Sequence, residues 1–263
     1  MSRMSRGALR VCSWCKEQTT KDDLRCHACG HWELDNTQVG KSTVLLSEYR
    51  KTKGKDKPVP RIKTGKWDGA LGGGLVRGNT ILTGGGAGAG KSTLALQIAE
   101  RFPDQPAYYV AAEESVDAID LRVKRLGITA DLRVYPFLEN GGGDFDSELY
   151  AYKPGLVIVD SLQKITKDDR EQLALCESLK RYAVRNKACV YIVSHVNKDM
   201  VLSGAYSLQH EVDLLLCLFA NEDKTCELYA IKSRQGPTFD ILYFAMTDKG
   251  LVFIPPKKEE KKS

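Results

Sequence analysis

Eight consecutive residues, Gly85-Gly86-Ala87-Gly88-Ala89-Gly90-Lys91-Ser92, followed by Thr93, fit the pattern G-x-x-x-x-G-K-[ST]. The chemistry of that pattern is phosphate binding. Glycines let successive backbone N–H groups approach phosphate oxygens closely, and a helix opening at the lysine adds partial positive charge at its N-terminus. Lys91 would reach the β- and γ-phosphates of ATP, and the Ser92 hydroxyl would ligate Mg²⁺. The context fits, because a strand is expected at about Thr80–Thr83 and helical periodicity runs from Lys91 to Glu100. Lys91 is expected at the loop–helix junction, facing solvent when no nucleotide is bound.

Four further segments offer side chains to the same chemistry. The apolar run Leu156–Val159 ends in Asp160, a carboxylate delivered by a buried strand to a phosphate loop, where it would hold Mg²⁺ through water. Hydrolysis also needs a group that orients and deprotonates water. Glu113 and Glu114 follow the short apolar strand Ala107–Ala111, and Glu113, the first out of the strand, is the favoured base. Ser194-His195-Val196-Asn197-Lys198 follows the strand Cys189–Val193. A polar residue such as His195 at that tip would sense a γ-phosphate, although a lone histidine is as often structural. The loop beyond it, to about Tyr206, would face a polymer. Lys232 and Arg234 sit two apart between two late strands, in Lys232-Ser233-Arg234-Gln235-Gly236-Pro237-Thr238. They read either as an ordinary basic turn or as an arginine finger reaching a neighbouring subunit's nucleotide.

A separate metal chemistry is written near the start. Cys12-x2-Cys15-x10-Cys26-x2-Cys29 is two pairs of thiols, a set suited to tetrahedral Zn²⁺. His27 and His31 are spare ligands nearby. So short a unit cannot fold by burial alone, and bound metal would supply the folding free energy. The remaining cysteines, Cys176, Cys189, Cys217 and Cys226, are scattered through expected strands and helices. That is the pattern of a reduced protein rather than a disulfide scaffold.

The elements that must position these residues follow from periodicity. Residues 115–126 place Val116, Ile119, Val123 and Leu126 on one helical face, and residues 169–186 do the same with Leu173, Cys176, Leu179 and Ala183, with Asp168 or Asp169 as N-cap. Strands alternating with helices, and apolar on both faces, predict an α/β fold: a doubly wound, mainly parallel sheet. Four strands in near succession, Val212–Phe219, Cys226–Ile231, Phe239–Ala245 and Leu251–Ile254, predict an antiparallel extension. The expected division is a zinc ribbon over 1–35, a basic linker over 36–60, the P-loop core over 61–256 and a charged tail over 257–263.

Composition sets the outer limits. The 263 residues carry a net +5, but residues 37–66 alone hold nine Lys/Arg against two Asp/Glu, while residues 67–263 sum to −3. The basic excess thus sits in one short segment, a pattern that attracts a polyanion. Apolar runs are too short or too charged to span a bilayer, and the N-terminal MSRMSRGALR lacks the apolar core of a secretory signal. The expectation is a cytoplasmic protein with no membrane partner.

Taken together these segments resemble the bacterial RadA/Sms family of RecA-like DNA-repair ATPases. The resemblance is carried by CHACGHW (26–32), GGGAGAGKSTLALQ (84–97), YVAAEES (109–115), RLG (125–127), LVIVDSLQ (156–163), SHVNKD (194–199) and FAMTDKGL (244–251). Two departures stand out. The family ends in a Lon-protease-like domain that this sequence does not reach, and its K-N-R-F-G segment is KSRQG here, more similar to the Lys/Arg finger of DnaB-type helicases. The resemblance implies a RecA-type core, ATP and Mg²⁺ as ligands, and a homo-oligomeric ring, a hexamer if built in the helicase manner, with nucleotide between subunits. It implies single-stranded or branched DNA as partner, with recombinase or replication proteins beside it. The implied activity is an ATP-dependent motor in recombination, repair or replication, by branch migration or unwinding. A recombination mediator or annealing and loading factor without motor activity is the alternative. A small-molecule kinase is disfavoured by the cysteine unit, the basic segment and KSRQG.

Arg50–Lys66 holds eight Lys/Arg against one Asp. Neutralising Lys51, Lys53, Lys55 and Lys57 together is expected to flatten the dependence of log affinity for single-stranded DNA on log salt. The slope should fall by roughly 0.7 for each phosphate that is no longer neutralised. An unchanged slope in a salt titration would make the segment a spacer.

Overall fold

In a computed structural model of the chain, the residues described are 9–11, 18–20, 26, 46, 61–102, 106–143, 145–195, 206–236 and 241–255. The chain divides into two compact units, residues 1–60 and 61–263. In the first, β1 (Leu9–Val11) pairs antiparallel with β2 (Gln18–Thr20), and Cys26 is buried. Cys12, Cys15 and Cys29, most of the 36–60 segment and the 257–263 tail lie outside the described residues.

The second unit is built on a nine-stranded sheet in the order β13-β12-β11-β10-β5-β9-β8-β6-β7. Its parallel part comprises β5 (Thr80–Gly85), β6 (Ala107–Ala111), β7 (Leu132–Tyr135), β8 (Leu156–Asp160), β9 (Cys189–Val193) and β10 (Leu214–Ala220). The antiparallel extension runs from β10 through β11 (Thr225–Ser233) and β12 (Leu242–Thr247) to β13 (Gly250–Ile254). A small ladder of β3 (Arg61–Ile62) and β4 (Leu75–Val76) precedes the sheet.

The continuous apolar runs exist because both faces of the sheet are covered. In β8, Leu156 and Ile158 join one core and Val157 and Val159 the other; in β9, Tyr191 and Val193 oppose Val190 and Ile192. Helices α1 (Lys91–Ala99) and α2 (Val116–Leu126) pack on the first face, and α3 (Asp146–Tyr152) and α5 (Asp169–Asn186) on the second, with the single turn α4 (Leu162–Ile165) after β8. Asp168 caps α5 by accepting from the N–H groups of Arg170 and Glu171, and Ser115 caps α2 by accepting from Ala118 N–H. α6 (Tyr206–Glu211) leads into β10.

The mainly parallel α/β sheet with an antiparallel extension is therefore as expected. β10 starts at Leu214 instead of Val212, because the Asp213 carboxylate turns to accept from Thr80 N–H (3.0 Å) and Thr80 Oγ1 (3.3 Å). Strand β7 and helices α3 and α6 had no expected counterpart. The parallel register sets Ala111 beside Asp160 and Thr83 beside Val193, so β5, β6, β8 and β9 all end along one edge of the sheet. Ligands of open α/β sheets bind at that edge, where the strand order reverses.

The extension is anchored by Phe244, fully buried against Trp67 at a ring-centroid separation of 4.6 Å and Phe253 at 5.8 Å. Phe244→Ala is expected to cost about 3–5 kcal/mol in urea unfolding. A loss below about 1 kcal/mol would show that this cluster does not hold the extension to the core.

Candidate active site

The phosphate loop leaves β5 at Gly85, turns through Gly86, Ala87, Gly88 and Ala89, and enters α1 at Lys91. Two glycines are dictated by space. A Cβ on Gly85 would lie 2.4 Å from the Leu218 carbonyl oxygen of the neighbouring strand. Gly90 has φ +94°, and a Cβ there would lie 2.9 Å from Met246 Cε.

Lys91 differs from expectation. It is buried, at 6% exposure, and its Nζ donates to the carbonyls of Gly85 (2.9 Å) and Gly86 (2.8 Å). The loop's own carbonyls replace water around the ammonium. Burial pulls its pKa down, while the negative charges of Glu113 and Asp160 act the other way.

Asp160 ends β8 almost wholly buried. Tyr109 Oη, from the adjacent β6, donates to Asp160 Oδ2, and Ser92 donates to the same carboxylate. Oδ1 is buried without a hydrogen-bond partner. Burial raises the Asp160 pKa, and the Ser92 and Tyr109 hydrogen bonds offset part of that rise. A half-satisfied carboxylate joined to the serine of a phosphate loop is a donor set that fits Mg²⁺ bound with a nucleotide.

The two glutamates separate. Glu114 Oε1 accepts from Arg122 Nη2 at 2.6 Å, an ion pair from the bend before α2 to the middle of that helix. Glu113 instead lies against His195, with Oε2 at 3.2 Å from Nε2. Glu113 N–H also donates to Asp160 O at 3.1 Å, which fixes it beside β8. Lys91, Ser92, Thr93, Glu113 and His195 line one cleft of about 260 Å³, with Arg122, Arg125 and Met246 also on its walls.

Lys232 and Arg234 are elsewhere. Ser233 pairs with Leu214, which pairs with Ile81, so the end of β11 lies beside the start of β5, at the opposite end of that strand from Gly85. Neither side chain projects freely. Lys232 Nζ donates to the carbonyls of Gln209 (2.6 Å) and His210 (3.0 Å), and Arg234 Nη2 donates to His210 O at 2.6 Å, with Nη1 3.5 Å from Asp213 Oδ1. The carbonyls at the C-terminal end of α6 attract cations, which is why both side chains turn towards it.

Sequence reasoning missed Tyr109, which fixes the Asp160 carboxylate, and Gln163. Gln163 Nε2 donates to Ser194 Oγ (2.6 Å) and its Oε1 accepts from His195 N–H (3.3 Å), tying α4 to the tip of β9. Both lie within the segments YVAAEES and LVIVDSLQ, where a signal was present but unread. Among the described residues no group of three or more His, Cys, Asp or Glu is placed to hold a metal ion, and no helix is long and apolar enough to cross a membrane.

A mainly parallel sheet with a phosphate loop at its switch point, a strand-borne Asp160 and an antiparallel extension defines a RecA-type, KaiC-like P-loop domain. The fold is shared with a KaiC-like protein from Pyrococcus horikoshii, at a TM-score of 0.59 and 19% identity, over 75% of this chain and 100% of that one. No family model matches the chain. The chain is nonetheless RadA-like over nearly its whole length. It is 32% identical over 266 residues to the DNA repair protein RadA of Streptococcus pyogenes, covering 93% of this chain and 58% of that protein. RadA of Bacillus subtilis is 30% identical, over 93% and 59%, and RadA of Brucella abortus 31%, over 92% and 58%. The chain thus spans somewhat over half the length of the curated relatives it matches.

A carboxyl whose pKa is raised by folding is penalised when ionised, so the penalty is absent below its unfolded pKa and grows as pH rises through the folded one. Asp160→Asn is therefore expected to stabilise the nucleotide-free protein by about 1 kcal/mol at pH 7, with the gap closing towards pH 4. Thermal melts across that range test it, and a destabilised Asp160→Asn would mean that the carboxylate is fully compensated within the chain.

Proposed function

We propose that this chain is an ATP-hydrolysing, DNA-binding motor of recombination, repair or replication that works as a homo-oligomer on single-stranded or branched DNA. The observation that carries the reading is the convergence of Lys91, Ser92 and Glu113 on one cleft at the sheet's switch point, with the buried Asp160 carboxylate bonded to Ser92. The resemblance to RadA over 93% of the chain supports the DNA-directed part.

The loop residues 85–90, with Thr93, wrap the phosphates by backbone N–H groups. Lys91 exchanges its two carbonyl partners for phosphate oxygens. Ser92 and Asp160 hold Mg²⁺, which when bound neutralises charge on the phosphates. Glu113 takes the proton of the attacking water, and His195, in contact with Glu113, reaches the terminal phosphate. Lys232 and Arg234 lie too far along the sheet to serve their own chain's nucleotide, so they serve a neighbour's, leaving the α6 carbonyls when subunits assemble. The four cysteines hold one Zn²⁺ in an N-terminal ribbon, and recombinase or replication proteins are further partners. The alternative is a mediator or loading factor without motor activity, which binds ATP and DNA without strong mutual stimulation.

Three measurements on purified protein test this. ATP turnover is expected to rise strongly with single-stranded DNA and to vanish in Lys91→Ala; absence of stimulation favours the mediator. Arg234→Ala should bind ATP nearly normally yet lose roughly 10³-fold or more in turnover, the lower end of what a trans arginine contributes in P-loop enzymes. Mixing it with Lys91→Ala should restore part of that, because one mixed interface pairs an intact loop with an intact finger. Mixed oligomers that remain inactive would refute the trans role. Elemental analysis should find about one Zn per chain, and metal-free protein with titratable thiols would remove the ribbon.

A further inference from the structure

Two tyrosines flank the strand that carries Asp160. Tyr109 in β6 and Tyr191 in β9 both lie beside Ile158 of β8, one on either side, and all three belong to the core layer that α1 covers. Both rings are buried. Alternation along β8 sends Asp160 to the same face as Ile158, at the strand end. The two hydroxyls are spent differently. Tyr191 Oη accepts from Thr83 Oγ1 of β5 at 2.6 Å. Tyr109 Oη donates to Asp160 Oδ2. A buried tyrosine hydroxyl takes a partner, and a bond to a carboxylate is stronger than one to a neutral acceptor. The two oxygens of Asp160 are therefore unequal: Oδ2 is engaged by Tyr109, and Oδ1 is buried with no hydrogen-bond partner.

We infer that Tyr109 sets the cation preference of this site: by engaging Oδ2 it leaves Asp160 a single oxygen to offer, a donor set for magnesium rather than calcium. This assignment rests on the reading of Ser92 and Asp160 as holders of the metal that accompanies ATP. Calcium takes more oxygens at longer distance and readily accepts both from one carboxylate. Magnesium holds a tighter shell, keeps several waters and takes few protein oxygens. Tyr109 is a positioning residue, since it acts through Asp160 and not on the nucleotide. Without its hydroxyl, the carboxylate is free to turn and present both oxygens, which favours calcium and leaves magnesium little to gain.

Equilibrium binding of a fluorescent non-hydrolysable ATP analogue to the full chain is measured in magnesium, in calcium and in excess chelator. The proteins compared are wild type, Tyr109→Phe, Tyr191→Phe and Asp160→Asn. Wild type is expected to bind more tightly in magnesium than in calcium. In Tyr109→Phe the magnesium-to-calcium affinity ratio should fall about tenfold, the weight of one hydrogen bond to a charged group, with affinity in chelator unchanged. A general loosening of the site would weaken binding in all three conditions and leave the ratio alone. Tyr191→Phe removes an equally buried hydroxyl, bonded to Thr83 instead, and should keep the wild-type ratio. Asp160→Asn should bring both metal-supported affinities down towards the chelator value. A wild-type chain with no preference for magnesium, a Tyr109→Phe chain that keeps the wild-type ratio, or an equal fall in Tyr191→Phe overturns the inference, and the metal site stands if Asp160→Asn loses its metal dependence. Metal dependence that survives Asp160→Asn overturns the reading of the metal site and the inference with it.

Discussion

The site depends on one buried carboxylate. Asp160 is carried to the end of β8, deep between two layers of helices, where an isolated charge is costly. Two hydroxyls, from Tyr109 on the adjacent strand and Ser92 on the phosphate loop, meet only part of its demand, and one oxygen is left without a partner. The same unmet demand acts on Lys91, whose desolvated ammonium leans on its own loop carbonyls. Charge of both signs is thus held short of full compensation within one site. Such an arrangement costs stability in the empty protein and favours a ligand that brings phosphate and a divalent cation at once.

The fold serves that arrangement through register. Because β5, β9, β8 and β6 are parallel neighbours, Gly85, His195, Asp160 and Glu113 leave the sheet at the same edge although they are far apart in the chain. The antiparallel extension has two separate jobs. At one end its Met246 closes against Gly90 of the phosphate loop, and at the other β11 carries Lys232 and Arg234 to the far edge of the sheet. One strand assembly thus carries the glycine-rich loop at one end of β5 and Lys232 and Arg234 beside the other.

Much of this was legible in sequence, for a definite reason. Strands buried on both faces leave uninterrupted apolar runs, so Ala107–Ala111, Leu156–Asp160 and Cys189–Val193 can be read at their observed bounds, and Asp168 as a cap. Glycine spacing points to the loop directly. What escaped was decided by tertiary contact. β7 is an edge strand with mixed burial, and α3 and α6 are too short for periodicity to register. A solvent-facing Lys91 was expected because a side chain seeks water, whereas the carbonyls of Gly85 and Gly86 capture it, and those of Gln209 and His210 hold Lys232 and Arg234 in the same way. Of the two glutamates weighed as base, Glu114 is paired with Arg122 and Glu113 with His195, partners that sequence spacing does not reveal. The cysteine unit is a pattern of thiols, and of its four members only Cys26 is described.

If the unmet charge of Asp160 is the organising constraint, ATP should need its metal to bind well. The direct measurement is isothermal titration of the wild-type chain with ATP in magnesium and in excess chelator, each repeated with Ser92→Ala. The account predicts an affinity at least about tenfold higher with magnesium, roughly the weight of one charge-assisted contact, and loss of most of that difference in Ser92→Ala. Equal affinities with and without the metal would contradict it, since the carboxylate and the loop serine would then have no shared partner to hold.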